Sequence, residues 1–388
     1  MAVITLQDEM ALQIAAWQLG QQRFDLTEQS DGNGHTATRL VAPPRWRLRM
    51  GSVPALVAAD AARWKSAALG LRGRINHLAA WDITNPAPRG TARGSMTLAS
   101  TATAGATSVA ISGARASNNL LLAGSALSAG AWTLSSATVT PNTHAAPDGT
   151  TTADTLTDSS AVALRYGRQT ISVPDDSTVY QFSCQVLKTT GGTAPTFVMV
   201  LEFQGGGTPA SSYVRLNTDT GAVIFGAGTV TDAGAYWLFK ATLANNSTGH
   251  TSANFYLFPA WAPYGLSTQD LTTTGSAVVW GCNVWPAASA SSYTPATLLA
   301  GDMLQIGTGV GSHYAMVTAD ATAENDAGQL VVSIEPPLRQ AISSGAAVTW
   351  DKPVAHYKLT GDSQAWQGVP GSSDVGGFAF DLLEDWRA

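Results

Sequence analysis

Apolar and polar positions alternate at period two through the middle of this chain. Between about Ser117 and Pro295, "TVYQFSCQVLK", "TFVMVLEFQ", "YVRLNTDTGAVIF", "AYWLFKATLA", "NFYLFPAW" and "AVVWGCNVW" each place apolar side chains on one face, with Gly, Asn, Asp or Pro between the runs. Such runs are β-strands, and no helix of normal length fits among them. Eight or more antiparallel strands at this spacing predict a sandwich of two sheets, most simply a jelly roll.

The flanks read differently. The first fifty residues suggest short elements ending in "TRLVAPPRWRLRMG", where Trp46 and Leu48 alternate with Arg45, Arg47 and Arg49 in a strand with one packed and one basic side. "VPALVAADAARWKSAALGLRG" carries apolar residues at helical spacing and predicts the one helix, closing at Gly70 or Gly73. "MTLAST" and "TSVAIS" follow as short strands, and the same texture returns after Pro295 in "DMLQIG", "HYAMVTADATA" and "GQLVVSIEPPL". The run "GATSVAISGARASNNLLLAG" reaches a turn without a return strand, so "TSVAIS" is expected to pair with "DMLQIG" across everything between. The predicted class is mainly β: a β-rich base domain with one helix, made of residues 1–114 and 298–388 and interrupted by an inserted antiparallel sandwich at 115–297. Surface hairpins tolerate such insertions because closing a longer loop adds little entropy cost.

Charge sharpens this division. Only 12% of the 388 residues are charged and the net charge is -6, which gives no general affinity for nucleic acid. Residues 1–114 hold eleven Lys/Arg against seven Asp/Glu, whereas residues 298–388 hold four against eleven. The two outer segments could therefore attract one another within one chain, or one copy's basic face could meet a neighbour's acidic face. Arg45, Arg47, Arg49, Arg72, Arg74, Arg89 and Arg93 form the basic group. With little aromatic interleaving and few lysines they fit a protein interface better than a nucleic-acid surface, and Asp320, Glu324, Asp326 and Glu335 are candidate counter-charges.

Catalytic signals are sparse. The six histidines stand apart, without the short spacings of a zinc set, and no nucleophile elbow or phosphate-binding loop appears in its strand-to-helix setting. The insert's acids fall mostly in turns, where Asp is a turn former, and Asp148 and Asp154 suit turn or capping duty better than calcium. No catalytic residue, metal or cofactor is assigned, and the chain is expected not to be an enzyme. Cys184 and Cys282 lie in predicted strands, as buried thiols or as a pair between neighbouring strands. No leader pattern or apolar stretch of membrane-spanning length is found, so a soluble protein made in a cytoplasm is expected.

Aromatic residues carry the positive signal. Trp237, Tyr256, Trp261, Tyr264, Trp280 and Trp285 crowd the last third of the insert. Flat rings beside polar groups suit the apolar C–H faces and hydroxyls of sugars, although sandwich cores also use Trp. "FYLFPAWAPYG" is the best candidate, because Pro259 and Pro263 break the strand and place Trp261 and Tyr264 on a loop. Trp261, Tyr264, Tyr256 and Trp237 are the candidate carbohydrate-binding residues, and the alternation of "VVWGCNVW" reads Trp280 and Trp285 as buried.

"WKSAALGLRGRINHLAAWDITNPAPRG", followed by "GATSVAISGA", "LLAGDMLQIG" and "VVSIEPPLRQAI", resembles the distal tail proteins of bacteriophages with long flexible tails, over roughly Ala42 to Gly113 and Leu298 to Leu359. The insert, in "NNLLLAGSALSAGAWTL", "AAPDGTTTADTLTD", "VRLNTDTGAVI", "DAGAYWLFKATL" and "VVWGCNVWPAASASSYTPAT", resembles the carbohydrate-binding-like jelly rolls of phage tail proteins. It departs from that pattern at Asn283 and Pro286, where Gln and Glu are more usual. The resemblance implies a structural virion protein at the tail tip, assembled in the host cytoplasm as a homo-oligomeric ring, usually of six copies. It would contact the tail tube protein, the tape-measure protein and the tail hub protein, and display the sandwich to a host cell-surface glycan, without nucleic acid or membrane insertion. The competing expectation is a glycan-binding or glycan-cleaving tail adhesin whose outer part is only a carrier.

Overall fold

A computed structural model describes residues 2–29, 36–116, 119–190, 196–261, 273–289, 293–322, 325, 328–362, 367–368 and 375–387. The chain is mainly β, and its described residues are arranged in three six-stranded sheets and one closed six-stranded barrel, with two short two-stranded ladders.

The first sheet joins both ends of the chain, in the order Val3–Thr5, His77–Ala80, Ala355–Leu359, Ala379–Glu384, Thr36–Ser52 and Ile14–Gln29. The alternation at 45–50 is realised as expected: Trp46, Leu48 and Met50 are buried, while the arginines between them face out. Against the apolar face lies the helix Ala58–Leu71, whose fully buried Trp64 stacks on Phe378 and Phe380 at 5.8 and 5.9 Å. Its left-handed closing residue is Arg72 (φ 48°) rather than a glycine. Gly70 lies inside the helix, where a Cβ would come within 2.8 Å of Ile4. A second, four-residue helix at Asp8–Ala11 was not expected.

Short elements are met only at the start, in Val3–Thr5 and Asp8–Ala11; Ile14–Gln29 and Thr36–Ser52 instead pair as one long hairpin of 16- and 17-residue strands. Its register slips between Ile14 and Ala16, Gln22 and Phe24, and Phe24 and Asp25. Each bulge switches the face on which apolar residues fall, so a continuous strand reads as fragments.

The barrel runs Met303–Ile306, His313–Val317, Gln329–Glu335, Ser108–Ser112, Met96–Leu98, Ala347–Thr349 and back to the first. The expected pairing of "TSVAIS" with "DMLQIG" is corrected here. Ser108–Ser112 pairs with Gln329–Glu335 (Val109 opposite Val332, Ile111 opposite Leu330) and with Met96–Leu98. Met303–Ile306 pairs with His313–Val317 and Ala347–Thr349. The two runs stand on opposite walls, and Val109, Ile111, Leu304 and Ile306 share the barrel's interior. Equivalent alternation in every strand leaves the partner unspecified.

Between the barrel's segments lie two sheets face to face. One runs Thr138–His144, Ala153–Asp158, Gly275–Pro286, Val179–Leu187, Tyr236–Ala244, Gly228–Ala233; the other runs Val223–Phe225, Ala210–Asn217, Thr196–Gln204, Ser252–Phe258, Tyr166–Ser172, Thr133–Ser135. Their shared core includes Phe182, Phe197, Phe239 and Phe255, and Trp280 and Trp285 are buried as read from their alternation. Cys184 and Cys282 are free buried thiols, with Cys184 Sγ 3.2 Å from Met199 Sδ.

Both ends of this stretch meet one loop. Ala92–Arg93 pairs with Arg115–Ala116, the Ala92 amide donates to Thr297 O at 2.9 Å, and Thr91 Oγ1 donates to Pro295 O at 2.6 Å. Gly90 permits the approach, since a Cβ there would lie 2.1 Å from Thr297 O. No helix among the described residues is long and apolar enough to cross a membrane.

Candidate functional site

In an antiparallel sandwich each strand usually buries one face and wets the other. Strand Thr196–Gln204 departs from this: every residue from Thr196 to Leu201 is buried. Its inner side chains, Phe197, Met199 and Leu201, belong to the sandwich core, whereas Val198 and Val200 lie under an aromatic cluster with Phe258, Trp261, Tyr166, Tyr213 and Tyr256.

Cross-strand register builds this outer face. One row aligns Arg168, Tyr256, Val200 and Tyr213; the next aligns Thr170, Asn254, Glu202 and Ser211; Phe258, Val198 and Arg215 form a third. Tyr166 meets Tyr256 edge-on at 5.2 Å and Phe258 at 5.3 Å, and the Arg168 guanidinium lies 5.9 Å from the Tyr256 ring centre. A directed chain of hydrogen bonds crosses the face. Thr170 Oγ1 donates to Asn254 Oδ1 at 2.7 Å, Asn254 Nδ2 donates to the Tyr256 hydroxyl at 3.2 Å, and that hydroxyl donates to Glu202 Oε2 at 3.3 Å. Burial raises the pKa of Tyr256, with Arg168 opposing the shift, and burial plus Glu202 raises that of Tyr213. Both phenols therefore remain protonated and able to donate at neutral pH.

Of the four aromatic candidates, the fold brings Tyr256 and Trp261 together. Tyr264 lies outside the described residues. The exposed-loop expectation for Trp261 is corrected, because its side chain is only 6% exposed. Pro259 does end the strand, but the Trp261 amide donates to Thr196 Oγ1 at 3.3 Å and Thr196 Oγ1 donates back to Trp261 O. That clasp folds the indole over the sheet, edge-on to Phe258 at 4.8 Å. Trp237 sits on the other sheet, with Nε1 donating to Thr218 O at 2.8 Å and Lys188 Nζ 4.1 Å above its ring. Arg168, Glu202, Asn254, Tyr166 and Tyr213 escaped sequence reading. Each sits on the non-core face of its own strand, a weak signal until the register is known.

Apart from Arg72, the basic group is engaged within the chain. Arg47 grips Asp381 with Nε to Oδ1 at 3.0 Å and Nη2 to Oδ2 at 2.6 Å; Arg49 lies 3.5 Å from the same carboxylate. Arg74 meets Asp362 at 2.9 Å and Arg89 meets Asp302 at 3.5 Å. Arg45 lies 5.8 Å from the Phe24 ring centre, and Arg93 donates to Gly90, Ala92 and Pro88 carbonyls. Arg72 is the exposed helix terminus. Among the expected counter-charges, Asp320 caps the Ala300 amide at 2.8 Å and Glu335 lies 3.7 Å from Arg23, while Glu324 and Asp326 are outside the described residues. The charge asymmetry is thus met in part by pairing between the two outer segments of one chain. Asp148 accepts from Thr150, and Asp154 from the Leu127 and Asn142 amides, so both hold turns.

No protein-family model matches the chain, and no curated protein is similar to it in sequence. Several solved structures are partly similar, among them a tailspike domain and a carbohydrate-binding module. The enzymatically active domain of tailspike protein 4 of bacteriophage CBA120 is 15% identical with a TM-score of 0.29, covering 44% of this chain and 21% of that one. TmCBM27, a carbohydrate-binding module studied for mannan recognition, is 9% identical with a TM-score of 0.25, covering 42% of this chain and 94% of that one. Neither likeness carries its function over to this chain. With an enzymatically active domain among the neighbours, however, the expectation that the chain is not an enzyme is corrected and withdrawn.

Proposed function

We propose that this chain is a phage tail adhesin component that attaches to host-surface glycan through the outer face around Tyr256. The observation that carries the reading is the aromatic row crossed by the hydrogen-bond chain from Thr170 to Glu202. Phenol rings offer stacking surface to sugar C–H faces, and Glu202, Asn254 and Arg168 supply fixed acceptors and donors for hydroxyls. Replacing Tyr256 by alanine should weaken binding of the full chain on a glycan array by about tenfold, the scale of one stacked ring with its hydrogen bond. Trp237→Ala should leave it unchanged. Equal binding by wild type and Tyr256→Ala would remove the site from consideration.

In this reading the outer segments anchor the sandwich to the particle. A ring of copies, usually six in the resembled family, bound to tail tube, tape-measure and hub proteins, is the finer form of the proposal. The long hairpin favours it by presenting Val41 at 65% and Leu26 at 40% exposure. A ring would convert weak single sites into avidity. Size-exclusion chromatography with light scattering separates a ring from a monomeric carrier.

The insertion itself is also a proposal, supported by the clasp of both sandwich ends onto residues 90–93. Joining Ala116 to Thr297 through a short Gly-Ser linker should leave a cooperatively melting base, because the barrel strands all lie outside the excised segment. A base that fails to melt cooperatively after this excision would count against two independent cores.

A further inference from the structure

Away from the sandwich, a cleft of about 400 Å³ opens between the base of the long hairpin and the barrel. Its lining includes Trp17, Trp46, Met303 and Met316 on the apolar side and Asp82 and Glu335 on the polar side. The indole of Trp46 is fixed: Nε1 donates to Tyr314 O at 2.8 Å, and the ring meets Tyr314 edge-on at 5.6 Å. Asp82 is fixed too, with Oδ1 accepting from the Thr84 amide at 2.9 Å and hydroxyl at 2.7 Å. It has no cationic partner among the described residues. Glu335 accepts from Gln21 Nε2 at 3.3 Å and lies 3.7 Å from Arg23, but Arg23 is held closer by Asp25 at 3.0 Å. The charged residues that line the cleft, Asp82 and Glu335, are thus both acidic, while the nearby arginines Arg23 and Arg89 are held by Asp25 and Asp302.

We infer that this cleft binds an organic cation, a guanidinium or alkylammonium group. Aromatic faces attract cations through the ring quadrupole, thioethers are polarisable and adaptable, and carboxylates at the lining supply charge complementarity. The volume fits a side chain or a small molecule, not a folded surface. The same cation could be free or be carried on a neighbouring chain as arginine.

The full-length protein is titrated calorimetrically with N-acetyl-arginine amide, choline chloride and the neutral N-acetyl-citrulline amide. Both cations should bind, and the citrulline compound should bind about tenfold more weakly or worse. Tighter binding of the arginine compound points to a protein-borne side chain, and tighter choline binding to a free quaternary ammonium. Asp82→Asn keeps the oxygen that caps Thr84, and Glu335→Gln keeps a carbonyl for Gln21, so each removes charge without removing its local bond. Each should weaken cation binding about fivefold to tenfold with little change in melting temperature. Equal binding of citrulline and arginine compounds, no binding of either cation, or undiminished affinity in both variants would overturn the inference.

Discussion

Replacing Arg339 by alanine should destabilise the base by about 3–5 kcal/mol, the usual cost of stranding one member of a buried ion pair. Arg339 and Glu384 are paired with side chains each 2% exposed. Glu384 also accepts from the Trp46 amide at 2.9 Å, which ties the loop after the barrel strand Gln329–Glu335 to two strands of the first sheet. Burial raises the Glu384 pKa, and Arg339 opposes that shift. Removing the cation leaves a carboxylate that must protonate or unfold its surroundings. Urea unfolding should show the loss in the transition assigned to the base, and adding Glu384→Gln to Arg339→Ala should restore part of it. A loss below about 1 kcal/mol would place the pair in solvent, where ion pairs contribute little.

Stability should also fall steeply on mild acidification. His313 is 2% exposed, and its pKa is lowered to about 4 by burial, with Arg339 adding repulsion. Its Nε2 donates to Pro336 O at 2.9 Å, while Nδ1 is buried without an acceptor, so a second proton would have no partner. Because the folded value lies below the ordinary value of 6.5, the unfolded chain protonates first. The stability from this site is complete above about pH 6.5 and declines as pH falls toward 4, by up to about 3 kcal/mol. Burial lowers the pKa of His77 and His356 as well, which adds in the same direction. Thermal melts across this range should show the decline, and His313→Gln, which keeps a donor for Pro336 O, should flatten it. A wild-type profile as flat as the variant's would contradict the assignment.

The features legible in the sequence are those with a local cause. Period-two alternation marks the sandwich strands, the helical spacing around Trp64 marks the long helix, and the Arg–Trp–Arg–Leu alternation marks a strand with one buried face. Partner choice has no such local cause. Any barrel strand of small and β-branched residues satisfies its neighbours equally, so the sequence does not place "TSVAIS" on its own wall, although its side chains reach the expected interior. The hairpin was hidden by bulges that reverse the apolar face. Trp261 shows the limit of reading loops from proline: Pro259 ends the strand, but the clasp on Thr196 returns the indole to the sheet. The outer-face site was legible only at Tyr256 and Trp261, because Arg168, Glu202 and Asn254 come from strands 34 to 86 residues apart and meet through register alone.

Hydroxyl-radical footprinting of the full chain, with and without a glycan identified on the array, addresses the proposed site most directly. Bound glycan should protect Tyr166, Tyr213 and Tyr256 while leaving the oxidation of Trp17 and Trp237 unchanged. Protection centred on Trp237, or oxidation of the three tyrosines unaltered at saturating glycan, would contradict attachment through this sheet face.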